Sequence, residues 1–358
     1  MRAWLFDQAL PLWAEAGVGP DGGFHEALDF DGRPIPGLPR RTRVQARQVY
    51  VFAQGAALGW APGRAVAQAG LDRMIAACRR DDGLWRLTTG ADGTPADETA
   101  DLYDQAFVLF ALAAAHRVLG DPRLLPLARQ TLEAIHQRMT SPHGGWDEAI
   151  PARLPRRQNP HMHLLEAMLA WRETAPDPLW DQTAKVSLDL FDRAFFDARS
   201  GVLGEYFTDD WTVTPGDAGR VIEPGHHLEW VWLLDQARRA GWGDHGASAD
   251  RLYAFAVTHG QDDGGFLVRE TDRTGAVRDG GRRLWAQTEA IRTYLLAGDD
   301  DLAARLIDGV FGAHLATAVP GLWMDSYDAD GRPCDDRVPA STLYHLMTAF
   351  TVVLEPGA

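Results

Sequence analysis

Apolar residues recur along the chain in two alternating helical patterns. In one, the stretch is apolar almost all the way round, as in Ala106-Phe-Val-Leu-Phe-Ala-Leu112, Leu228-Glu-Trp-Val-Trp-Leu-Leu234 and Leu343-Tyr-His-Leu-Met-Thr-Ala-Phe350. In the other, a single stripe repeats at helical spacing, as at Leu125, Ala128, Leu132 and Ile135. A helix apolar on every side is buried among others, whereas a striped one lies at the surface with one face inward. Between the pairs come short Gly-aromatic segments: Gly22-Gly-Phe-His-Glu26, Gly83-Leu-Trp-Arg86, Gly144-Gly-Trp-Asp-Glu148, Gly201-Val-Leu-Gly-Glu-Tyr206, Gly264-Gly-Phe-Leu-Val268 and Gly321-Leu-Trp-Met-Asp325. Several are followed by turn chemistry, as in Asp31-Gly-Arg-Pro34, Asp92-Gly-Thr-Pro95 and Asp330-Gly-Arg-Pro333, so each reads as a short hairpin or extended loop.

The leading glycines are separated by 61, 61, 57, 63 and 57 residues, so six units fill the chain. Six buried helices alternating with six half-buried ones predict an all-α fold, an (α/α)6 barrel with short β-hairpin loops at one mouth. One domain is expected over residues 1–358. An open helical solenoid is the alternative, but it needs polar end caps, and neither terminal unit is polar.

In a ring of this kind the inner helices run in parallel and their amino-terminal ends meet at one mouth. Polar residues near the start of each buried helix fall at Arg47, Asp104, His163, His226, Gln287 and His345, spaced by 57, 59, 63, 61 and 58. Burying such groups without partners costs roughly 1–3 kcal/mol apiece, so they pair with each other or face a polar ligand. Six of them at one height favour a ligand site over a satisfied structural network. His226 and Glu229 are three apart and share a helix face, as do Asn159 and His163, four apart. Glu229 is therefore expected to accept a hydrogen bond from His226, leaving a neutral imidazole as general base near pH 7. His161 and His163 resemble a metal pair, but residues two apart diverge on a helix and no carboxylate triad accompanies them; no metal is expected.

Composition narrows the chemistry. A formal charge of -15 repels nucleic acid phosphates and anionic lipid, so neither is an expected partner. Lys185 is the only lysine, which excludes a P-loop and confines Schiff-base chemistry to that residue; it lies beside the stripe Ala184, Leu188, Phe191 and Phe195 and reads as a solvated surface group. Two cysteines, Cys78 and Cys334, are too few for a disulfide framework. The amino terminus has no signal-peptide core, and the longest apolar run, Phe107 to Ala115, falls short of the ~20 residues of a membrane span. A cytoplasmic protein is expected; the sequence leaves its oligomeric state, a homodimer included, open.

The segments Arg43-Val-Gln-Ala-Arg47, Leu102-Tyr-Asp-Gln-Ala-Phe107, Asn159-Pro-His-Met-His163, Pro224-Gly-His-His-Leu-Glu229, Trp285-Ala-Gln-Thr-Glu289 and Tyr344-His345 together resemble the N-acylglucosamine 2-epimerase family of sugar epimerases and aldose–ketose isomerases. The resemblance implies an (α/α)6 barrel, no cofactor and a monosaccharide substrate. It implies that His226 and His345 are the acid/base pair, that Arg47 steadies the carbonyl oxygen, and that Glu229 orients His226. Asn159 and His163 would hold hydroxyls and Trp285 would pack on the sugar, with Tyr103, Asp104, Gln287, Glu289 and Arg43 completing the pocket. Arg220 is assigned to the same pocket. The Glu229-Trp230 pair looks more like mannose isomerases and sulfoquinovose isomerase than cellobiose 2-epimerases. Arg43 and Ser341 depart from the residues usual there, tryptophan and glutamine, and both are expected to touch substrate hydroxyls.

The expected reaction is isomerisation between mannose, or a close analogue, and fructose, with 2-epimerisation as the alternative. A glycoside hydrolase on the same barrel would need two carboxylates, for which Asp104, Glu229 and Glu289 are the candidates. A non-catalytic sugar-binding protein is the third reading.

Overall fold

The computed structural model describes residues 1–355. Residues 2–15 form α1 and Thr42–Ala57 form α2. Then come Gly63–Cys78 (α3), Leu102–Leu119 (α4), Leu124–Arg138 (α5), Asn159–Thr174 (α6), Pro178–Leu190 (α7) and Pro224–Arg239 (α8). Gly246–His259 (α9), Leu284–Ala297 (α10), Asp300–Gly309 (α11) and Leu343–Leu354 (α12) complete the set. The even-numbered helices touch in order from α2 to α12, and α12 returns to α2. The ring is closed. Six inner helices are wrapped by six outer ones, so the barrel, and not the solenoid, is what the repeats build.

Local chemistry explains the two layers. α4 starts where the Asp101 carboxylate accepts the Tyr103 N–H and stops at Gly120, whose φ of 69° only glycine adopts freely. It is long and apolar enough to cross a membrane by length and composition, but it packs between α2 and α6, which consume its apolar surface. The outer α5 buries Leu124, Leu127, Ala128, Leu132 and Ile135 and exposes Arg129 and Glu133. On α7, Lys185 is exposed beside buried Ala184 and Leu188.

The loop layer differs from a set of independent hairpins, because most strand pairs join neighbouring repeats. Arg40–Arg41 pairs with Thr88–Thr89, Ala100–Asp101 with Ala149–Ile150, and Arg156–Arg157 with Tyr206–Phe207. Ile222 bridges Thr271, and Arg282–Arg283 pairs with Ser326–Tyr327. Ala27–Leu28 pairs with Val338–Pro339, joining the first repeat to the sixth. At the same seam Trp13 stacks on Trp323 at 4.9 Å and its indole N–H donates to the Gly321 carbonyl at 3.2 Å.

Inner helices hold these loops through buried side chains. Gln45 binds the N–H and C=O of Phe24, Gln105 those of Trp85, and Gln287 those of Leu267. His161 and His227 accept the N–H groups of Trp146 and Leu203 through Nε2, and burial drives their pKa values down to about 3 and about 4, keeping that nitrogen an acceptor. Gln287 is thus a loop anchor and not a pocket residue, a correction to its place in the periodic series. Gln287→Leu orphans the buried Leu267 amide and carbonyl, so unfolding free energy in urea should fall by about 1–3 kcal/mol with kcat/KM nearly unchanged. A catalytic loss at wild-type stability would contradict the anchor role.

Candidate active site

The amino-terminal ends of the inner helices open into a cavity of about 210 Å³. Of the expected residues, Arg47, Tyr103, Asn159, His163, His226, Glu229, Trp285 and His345 line it, as does Ser341. The others do not. Arg43 turns to Asp104, its N–H and guanidinium donating to that carboxylate at 2.7 and 3.1 Å. Asp104 is wholly buried behind it; burial pushes its carboxyl up to about 7, against the pull of Arg43. Arg220 is exposed on a 3-10 turn, Ala218–Arg220. Glu289 lies behind His345 and not in the cavity. Of the three carboxylates named for a hydrolase only Glu229 lines the cavity, where Glu205 and Glu223 are both engaged with His226.

His226 is not oriented by Glu229. Its Nδ1 donates to Glu205 at 2.9 Å, with Glu223 at 3.8 Å. Burial alone would depress the imidazole, but the Glu205 and Glu223 carboxylates outweigh it and carry the pKa up to about 10. His226 is therefore charged at neutral pH: an acid, and not the neutral base expected. Its Nε2 lies 2.9 Å from the Asn159 amide, whose oxygen finds no other partner and is the natural acceptor once the amide is turned to face the imidazolium. Glu205 belongs to the Gly-aromatic segment of its repeat. Acids two residues after the corresponding aromatic recur at Glu26 and Glu148, which hold Arg41 and Arg157 at the same place. That recurrence was the signal in the sequence.

His345 is the opposite case. Burial, then the positive charge of Arg47, hold its pKa well below 6.5. Its Nδ1 donates to Glu289 at 2.8 Å, so the Nε2 lone pair is left for the cavity. Burial pushes Glu289 up as well; the touching Arg292 guanidinium is the counter-charge that lets it accept as a carboxylate. His163 follows the same logic. Burial keeps it neutral, and it donates Nδ1–H to Glu166 at 2.9 Å while Tyr344 donates to that carboxylate at 2.6 Å.

Glu229 makes no hydrogen bond to His226; it lies 3.9 Å from His163 Nδ1 and 3.8 Å from Arg292. Burial and the neighbouring Glu289 charge raise its pKa well above the ordinary value. It lines the cavity, where its carboxyl is suited to a sugar hydroxyl. Arg47 donates to the Tyr103 hydroxyl at 2.6 Å and stacks over Phe107 and Tyr344, with its Nε unpartnered. Trp285 lies against both histidines, ring centroids 4.9 Å from His226 and 5.8 Å from His345. α10, which carries it, lies between α8 and α12 in the ring.

Three His/Glu triads among the described residues bring ligand atoms within 4.8 Å: His163 with Glu166 and Glu229, His226 with Glu205 and Glu223, and His345 with Glu229 and Glu289. In each the imidazole Nδ1 is engaged by a carboxylate of the same triad, which accounts for the closeness without an ion. Spacing did not reveal Arg157, Glu205, Tyr206, Glu223, Arg283 and Thr342, which also line the cavity; all but Thr342 lie in loops or strands ahead of the inner helices.

The family pattern of N-acylglucosamine 2-epimerase (GlcNAc 2-epimerase) matches residues 22–349. The chain is 37% identical over 371 residues, 98% of this chain and 95% of the relative, to a Rhizobium meliloti (strain 1021) protein named mannose-6-phosphate isomerase. To the Thermobifida fusca protein named D-mannose isomerase it is 33% identical over 326 residues, 83% of this chain and 78% of the relative. The crystal structure of a D-mannose isomerase superposes with a TM-score of 0.87 over 99% of this chain and 98% of that one, at 21% identity, and so shares the fold. The chain belongs to the N-acylglucosamine 2-epimerase family and is an enzyme of its isomerase and epimerase kind.

Proposed function

We propose that the protein interconverts an aldohexose of the mannose type and the corresponding ketose. The observation that carries this reading is the pairing of a charged His226 with a neutral His345 on one cavity. His345 Nε2 takes the proton from C2 of the open-chain sugar. The C2–H electron pair becomes the C1=C2 bond, and the carbonyl pair moves to O1, which Arg47 stabilises and His226 protonates. In the return step the O2 proton passes to His226, C2=O forms, and His345 delivers its proton to C1. Every electron pair stays within the sugar, so no redox partner is called for.

The names of the relatives cover both mannose and its 6-phosphate, and either fits an isomerase. Epimerisation is the second reading, because a protonated His226 has a proton to return to C2. The cavity volume is below the ~300–1,000 Å³ of sites for drug-sized ligands, which supports a single sugar unit over a disaccharide. The unpaired thiols, Cys78 buried and Cys334 exposed, support a reducing, cytoplasmic setting. Incubating mannose with the enzyme in D2O and following the products by NMR should show ketose carrying deuterium at C1. Accumulation of the C2 epimer with no ketose would overturn the isomerase reading.

A further inference from the structure

Two cavity residues have no part in this proton transfer. Arg157 and Arg283 end the short strands Arg156–Arg157 and Arg282–Arg283, each two residues ahead of a cavity residue on the next helix, Asn159 and Trp285. Depth in the cavity follows position along the inner helices. His163 and His345 lie four residues beyond Asn159 and Ser341, about 6 Å further in at 1.5 Å per residue. Arg47 shares that deep level, one repeat position for another. Because C2 must reach His345 and the carbonyl oxygen Arg47, the C1–C2 end of the sugar sits at the deep end of the cavity, with His226 meeting its oxygens from the Asn159 level. Its far end then points back to the mouth, where the two arginines are.

Both guanidiniums are braced from behind and open in front. Arg157 donates Nε to Glu148, and its terminal nitrogens make no hydrogen bond among the described residues; Asp101 is 3.9 Å away. Arg283 donates Nη2 to Asp325 at 3.2 Å and leaves Nε and Nη1 free, with its side chain 47% exposed. The three carboxylates that share the cavity have other counter-charges, Glu205 and Glu223 in His226 at 2.9 and 3.8 Å and Glu229 in Arg292 at 3.8 Å, with Arg283 acting on Glu223 as well. A chain with a formal charge of -15 repels anions at long range, so a local pair of guanidiniums at a site mouth marks where an anion is admitted.

We propose that Arg157 and Arg283 form a subsite for a tetrahedral dianion, a phosphate ester, on the sugar carbon farthest from the reacting carbonyl. The preferred substrate is then an aldohexose 6-phosphate. Guanidinium matches phosphate geometry through paired, charge-assisted hydrogen bonds, which lysine or a neutral donor does not reproduce. This rests on the isomerase reading above, and the test separates the two.

Mannose and mannose 6-phosphate are compared as substrates of the wild-type enzyme, with inorganic phosphate as a competitor. The expected result is a kcat/KM at least about tenfold higher for the ester, and competitive inhibition by phosphate. In the Arg157→Gln/Arg283→Gln double variant the ratio of kcat/KM for ester to that for mannose should fall about 10²-fold, chiefly through KM, and phosphate inhibition should vanish. Conversion of mannose with equal or lower efficiency for the ester overturns the subsite and leaves the isomerase standing. No deuterium incorporation from either sugar overturns the isomerase. The wild-type comparison needs no variant, so a double variant that fails to fold does not rescue the proposal. A 6-sulfonate sugar preferred over the ester would also overturn it, since the subsite is then built for a monoanion.

Discussion

His345→Asn should abolish both turnover and deuterium exchange at C2, whereas His226→Asn should lose turnover while still exchanging that proton slowly. A positioned acid or base contributes typically about 10²–10⁴-fold, so either kcat should fall by that much. The asymmetry follows from the two environments. His345 is neutral, with Nε2 free toward the cavity, and can attack C2–H by itself. His226 is charged on Glu205 and serves the oxygens, so its loss stalls the intermediate after C2 has opened. Exchange is read by NMR in D2O, and folding by circular dichroism. If His345→Asn went on exchanging and His226→Asn did not, the roles would be reversed and the charge assignment wrong.

Glu205→Gln should move the alkaline limb of the pH–rate profile downward by about 1–3 units, the effect of one opposite charge at hydrogen-bond distance. In the wild-type enzyme His226 must be charged to act, so kcat/KM should fall as pH rises through about 10. The variant keeps the buried imidazole but loses its nearest counter-charge, and burial alone favours the neutral form. At pH 8 its kcat should therefore be reduced by up to about tenfold and recover on acidification, down to the point where His345 takes up a proton. The same charge bears on stability. A folded-state pKa raised above 6.5 contributes stability that is fully present below 6.5 and is lost as pH rises through about 10. Wild-type Tm should fall over that window, and the variant's should fall less and at lower pH. An unchanged alkaline limb would show that Glu205 does not set the charge of His226.

The two histidines and Arg47 were legible because they stand out as polar groups in apolar helices, and the family resemblance gave them roles. Glu205 was not, although its equivalents Glu26 and Glu148 recur in the Gly-aromatic segments, because the nearer Glu229 offered a partner at helical spacing. The periodic series also mixed registers. Loop anchors Gln45, Gln105, His161, His227 and Gln287 form one level, spaced 60, 56, 66 and 60, while cavity residues such as Arg47 and His163 lie two positions further along. A step of one residue turns a side chain by about 100° on a helix, so intervals uncertain by one or two cannot say which side it faces. Asp104 and Gln287 were misplaced for that reason, whereas Arg43, placed in the pocket by the resemblance, is drawn away by the Asp104 carboxylate.

The sequence by itself determined the sixfold repeat, the division into buried and half-buried helices, and the place of His226 and His345 as polar groups in inner helices, because each is a statement about period and about polar atoms where apolar ones belong. The tertiary structure alone decided which histidine is charged. That depends on which carboxylate reaches each ring across the closed barrel and on how much water the surrounding helices exclude, and neither quantity is a property of spacing along a chain.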